Sequence, residues 1–75
     1  MHYGYAQPRH LGMLHFVVHP NLIDVYNPNA PYAQATLRKI DGGIRLFITK
    51  GAPLHFRNEV DKYLGQLKTI LILGG

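Results

Sequence analysis

Apolar and polar positions alternate through the middle of the chain. Thr36-Leu37-Arg38-Lys39-Ile40 and Ile44-Arg45-Leu46-Phe47-Ile48-Thr49 each repeat with a period of two, separated by Asp41-Gly42-Gly43. Two such runs joined by a glycine turn predict a β-hairpin over residues 36–49. The period then changes. Phe56, Val60, Tyr63, Leu64 and Leu67 recur at helical spacing, which predicts one amphipathic helix over 53–68. Pro53 suits the first helical position, where a missing N–H is harmless, and Gly65 is a weak point costing up to about 1 kcal/mol. Ile70 to Leu73 is apolar throughout, as in a strand buried on both faces, and predicts a final strand over 70–73. A helix between two strands suggests a right-handed crossover with those strands parallel. The class expected is α+β with a small mixed sheet.

Hairpin register decides which side chains are free. An Asp41-Gly42 turn sets Arg38 opposite Arg45, a like-charge pair. A Gly42-Gly43 turn sets Arg38 opposite Phe47, Thr36 opposite Thr49 and Leu37 opposite Ile48, leaving the stem of Lys39 against Leu46. Charge avoidance favours the Gly-Gly register. Under either register Ile44, Leu46 and Ile48 share the face of Leu37, where the helix stripe should pack. Arg38, Arg45, Phe47 and Thr49 take the other face.

The front half is less regular. Residues 1–10, with Tyr3, Gly4, Tyr5 and Pro8, read as an irregular arm before a single small α/β domain over 11–75. Leu11 to His19 fits a strand, with Leu14, Phe16 and Val18 on one side and Met13, His15, Val17 and His19 on the other. It also fits a helix presenting Leu11, Leu14, His15 and Val18; the Val17-Val18 pair and Phe16 favour strand. Leu22 to Tyr26 is a short strand with Ile23 and Val25 on one side. Asn27-Pro28-Asn29-Ala30-Pro31 is a loop, because each proline disfavours helix in the residue before it.

Composition sharpens this picture in two ways. Charged residues make up 16% of the chain against a usual value of about 25%, while 47% are hydrophobic. Too few charges remain to coat a free domain of 75 residues, so a partner should cover part of the surface. The excess of cations gives a net charge of +4, which favours polyanions. No cysteine is present, removing disulfides, thiolate metal sites and thiol nucleophiles, and fitting a reducing, intracellular compartment. No run approaches the roughly 18 apolar residues of a membrane span.

Candidate chemistry is sparse. His15 and His19 stand four apart near Asp24, but a metal site needs a third or fourth ligand in the right geometry, and none is expected. There is no serine nucleophile. Asp41 belongs to the turn, and Glu59 and Asp61 sit on the polar helix face. His55 could serve as a general base, as in small nuclease toxins, yet a solvated helix face explains it better. No catalytic residue or cofactor is therefore assigned. The basic residues Arg38, Arg45, Lys39 and Lys50, with Phe47 as a stacking surface, are the candidate RNA-binding set.

Two resemblances bear on function. Leu73-Gly74-Gly75 resembles the tail of ubiquitin-like carrier proteins, whose length is similar, although those place further strands between helix and tail. More of the chain is similar to the cysteine-poor thioredoxin-like domain shared by several mitochondrial ribosomal proteins and a small accessory subunit of respiratory complex I. About fifty residues follow that pattern: His19-Pro20-Asn21-Leu22, the strand to Tyr26, the Pro28/Pro31 loop, the hairpin through Gly42-Gly43 and the helix to Leu67. That family has a strand and a full helix before the turn, and it ends near its last helix. The likeness implies a structural subunit without redox activity in the mitochondrial matrix.

The expectation is a non-enzymatic structural or adaptor subunit of a larger assembly, a ribonucleoprotein, binding RNA, protein or both. The alternatives are a phage- or mobile-element-type inhibitor or toxin docking on one protein, and a ubiquitin-like carrier. Alone, the chain is expected to self-associate through the apolar Ile70–Leu73 edge or to fold poorly, becoming well ordered only with its partner, with Leu46, Val60, Leu64 and Ile72 as its most sensitive positions.

Overall fold

The computed structural model describes residues 8–74. Five strands, β1 (Pro8–Leu11), β2 (Leu14–Val18), β3 (Leu22–Tyr26), β4 (Ala33–Ile40) and β5 (Gly43–Ile48), precede one helix, α1 (Leu54–Leu73). The strands pair in chain order, β1-β2-β3-β4-β5, and every pair is antiparallel. The fold is α+β, a meander sheet with the helix packed on one face.

Residues 14–18 resolve the strand-or-helix ambiguity as strand, with Leu14 and Phe16 buried and His15 and Val17 turned the other way. β3 matches the expected bounds, with Ile23 and Val25 inward. Pro8 to His10, read from sequence as irregular arm, belong to β1; the rest of that arm lies outside the described residues. The proline loop is locked by its first residue. Asn27 Oδ1 accepts the Asn29 N–H at 3.2 Å and the Asn27 carbonyl accepts the Ala30 N–H at 3.0 Å. Asn27 also donates through Nδ2 to Gln34 Oε1 at 3.2 Å, in a buried pair. Gln34 is available because the β3–β4 register shifts there: Val25 faces Ala35 while Tyr26 faces Ala33. The bulge thus explains why Gln34 and Ala35 are buried in succession.

The hairpin register, the final strand with its crossover, the sensitivity of Ile72 and the place of Pro53 all differ from expectation. The hairpin turns on Asp41-Gly42, with Arg38 opposite Arg45, Leu37 opposite Leu46 and Thr36 opposite Phe47. Gly42 takes φ +89° directly after a residue of negative φ, the sign pattern of a type II turn, a position that glycine fills without strain. The like-charge pair is tolerated because both arginines stand in solvent, where repulsion is worth only tenths of a kcal/mol.

The strand expected over 70–73 does not form, and neither does a parallel crossover; α1 runs unbroken from Leu54 to Leu73. Its buried stripe of Phe56, Val60, Leu67 and Leu71 keeps helical spacing through the apolar run, so continuing the helix buries Leu71 at one backbone hydrogen bond per residue. Gly65 does not break it, and Thr69 Oγ1 donates back to the Gly65 carbonyl at 3.0 Å. Ile72, expected to be sensitive, is 64% exposed. Finally, Pro53 is the cap, one residue before the helix, and its carbonyl accepts the Arg57 N–H at 3.1 Å.

The core lies between one sheet face and the helix. Leu14, Phe16, Ile23, Val25, Ala35 and Leu37 meet Ala52, Phe56, Val60, Leu67 and Leu71, and all eleven are buried. Because α1 crosses β2, β3 and β4, the inward side chains of β5, Ile44, Leu46 and Ile48, are only half-buried. No described helix is long and apolar enough to cross a membrane.

Candidate nucleic-acid interface

Among the described residues a single helix packs on one side of the sheet, and nothing packs on the opposite face. Cross-strand register arranges its side chains in rows, with neighbouring strands about 4.8 Å apart. One row runs Val17–Asp24–Thr36–Phe47, a second Leu22–Arg38–Arg45, and a third His10–His15–Tyr26. Phe47 is half-exposed, and with Thr36 and Arg38 it lines a groove of about 350 Å³. At the far end His15, Val17, Tyr26 and Pro28 help line a second groove of about 370 Å³. His10 and His15 meet edge-to-face there, with ring centroids 4.3 Å apart.

Of the candidate set, the fold brings together Arg38, Arg45 and Phe47 on this face. It separates the other two. Lys39 is on the helix side of β4, opposite Ile44. Lys50 sits in the turn after β5, where its carbonyl accepts from Arg57 Nη2 at 3.3 Å. Arg57 also donates to the carbonyls of Thr49 and Ala52, each at 3.2 Å, so this cation ties the β5–α1 loop. Arg9 lies on the core side, its guanidinium 5.6 Å from the centre of the Phe16 ring.

Asp24 is the acid of this face, and its charge is engaged locally. Its Oδ2 lies 3.1 Å from His19 Nε2, and its Oδ1 accepts from Thr36 Oγ1 at 3.3 Å. Val17, Leu22, Thr36 and Tyr26 belong to the same surface but do not stand out in the sequence; the alternation of β2 and β3 places them on a face without saying whether it is covered.

The remaining constellations disperse. His15 contacts His10 while His19 contacts Asp24, and among the described residues no group of three or more His, Asp or Glu is placed to hold a metal. His55 is exposed at the start of α1. Glu59, expected on a solvated face, is half-buried, and its Oε2 accepts the Met13 N–H at 3.4 Å across the β1–β2 turn. Comparison with family models, curated proteins and solved structures finds no match to this chain.

Proposed function

We propose that this chain is a non-enzymatic structural or adaptor subunit of a ribonucleoprotein that holds RNA on the open face of its sheet. The observation carrying this reading is the juxtaposition of Arg38, Arg45 and Phe47 on one uncovered face. Guanidinium groups bind phosphate oxygens in a forked geometry, and a half-exposed phenyl ring accepts any unpaired base by stacking. Tyr26 and His15 offer further stacking surface toward the other end of the sheet. The mitochondrial ribosomal assembly belongs to this proposal through the sequence resemblance alone.

The test is anisotropy of a labelled single-stranded oligoribonucleotide across a salt series. Arg38→Ala and Arg45→Ala should each weaken binding and flatten the log–log salt slope by about 0.7 per lost phosphate contact. Phe47→Ala should weaken binding by about 1–3 kcal/mol with the slope unchanged. Parent-like binding by all three variants, or no binding at micromolar protein and low salt, would overturn the proposal. Recovery of ribosomal RNA with the tagged chain would support it, whereas one stoichiometric protein without RNA would point to a docking inhibitor.

A further inference from the structure

β5 ends the sheet, and among the described residues nothing pairs with its outer edge. In an antiparallel ladder, alternate residues direct their N–H and C=O groups toward a given neighbour. Two fixed points set that alternation here. The Thr49 N–H donates to the Gln34 carbonyl at 2.8 Å, and the Asp41-Gly42 turn closes on Ile40 opposite Gly43. Counting by twos between them, Gly43, Arg45, Phe47 and Thr49 bond inward to β4. The N–H and C=O groups of Ile44, Leu46 and Ile48 therefore face outward along the edge.

Exposed edges of this kind are usually blunted by proline, lysine, a bulge or shortness. The opposite edge follows that rule: β1 has four residues, starts at Pro8 and carries Arg9 and His10. β5 has six residues, Gly-Ile-Arg-Leu-Phe-Ile, without proline or lysine, and its ladder with β4 is regular. On the helix side, Ile44, Leu46 and Ile48 pack against the rim of the core and remain only half-covered. A strand laid beside β5 would complete both the backbone ladder and this apolar strip.

Charge decides what kind of strand fits. Arg45 stands on the open face of the edge strand with Arg38 one strand behind it, Lys39 stands exposed on β4 on the other face, and Lys50 follows the end of β5. The acid nearby is Asp41 in the turn. A second copy pairing β5 to β5 would bring these cations toward their own counterparts. An acidic segment is complementary. We propose that β5 accepts an extended acidic segment of a partner protein as a sixth strand. Alternate Glu or Asp side chains would face Arg45, with Arg38 adding positive potential one strand behind it, and apolar side chains between them would lie against Ile44, Leu46 and Ile48.

The probe is a capped peptide of about eight residues alternating Glu and Val, with a Lys/Val counterpart, titrated into the ¹⁵N-labelled full chain. Amide shifts and slowed hydrogen exchange should concentrate at Ile44, Leu46 and Ile48. The Lys/Val peptide should bind roughly ten-fold more weakly, and Arg45→Glu should reverse that order. Ile44→Pro removes an N–H that β4 does not use, so it should abolish peptide binding while the melt and RNA binding persist. Leu46→Lys, which blocks the apolar strip, is the second variant. Should both unfold, the two-peptide comparison on the unaltered chain still decides. No shift in β5 at millimolar peptide, equal binding of both peptides, or shifts confined to Phe47 and Tyr26 would overturn the proposal. So would self-association through the same three amides in a dilution series.

Discussion

Gly12 and Gly65 show how one residue type acts in opposite senses at two places. Gly12 turns β1 into β2 with φ +59°, and a Cβ there would lie 2.7 Å from the Tyr63 hydroxyl and 2.8 Å from Glu59 Oε2. Glu59 already accepts the Met13 N–H, so the turn has little room to yield. Gly12→Ala should therefore destabilise by about 1–2 kcal/mol through its left-handed backbone alone. Gly65 is a helical residue, and a Cβ added to it would meet no atom within 4 Å. Gly65→Ala should stabilise by about 0.5–1 kcal/mol, since alanine restricts the unfolded chain and favours helix. Thermal melts of the two variants check this, each kcal/mol moving Tm by roughly 4–8 °C. Equal signs would mean that Gly12 does not hold the left-handed conformation that turns β1 into β2.

At the scale of the element, the end of α1 is the informative case. Adjacent residues Leu71 and Ile72 would both be buried in a two-faced strand, whereas the helix buries Leu71 fully and leaves Ile72 exposed. Leu71→Ala should cost about 2–5 kcal/mol and Ile72→Ala less than about 0.5 kcal/mol, measured by denaturant unfolding. Similar losses at both positions would contradict the helical assignment. Ile70–Leu73 therefore presents no strand edge, which removes the reason to expect association through that segment. The unpaired edges among the described residues are those of β1 and β5.

For the whole molecule, topology and layering set the behaviour. Every strand pairs with its neighbour in sequence, so the sheet closes without any long loop. Refolding should accordingly be fast for a β-rich domain, within milliseconds to tens of milliseconds by stopped flow; single-phase folding over seconds would contradict the meander. The molecule is flattened, 36 × 32 × 19 Å, as two layers require. One layer interface holds the core, and the open sheet face mixes Val17, Leu22, Tyr26, Ile40 and Phe47 with Asp24, Arg38 and Arg45.

Local chemistry made much of this legible in the sequence. Period two over 36–40 and 44–49 and period near 3.6 from Phe56 to Leu67 specify strand and helix, and the Pro28/Pro31 loop follows from backbone sterics. The division of the hairpin into a Leu37 face and an Arg38 face also follows, because alternation is a property of the strand itself. Three matters needed the tertiary structure. The register turned on a small repulsion against a glycine turn, terms too close for pattern to rank. Ile70–Leu73 satisfies strand and helix periodicity alike, and only the core beneath Leu71 chooses between them. Whether the Arg38 face was covered depended on how many helices pack on the sheet and where. That last fact joins Arg38, Arg45 and Phe47 into one surface, places Lys39 and Lys50 elsewhere, and leaves Ile44, Leu46 and Ile48 half-covered at the edge, because α1 packs mainly across β2, β3 and β4.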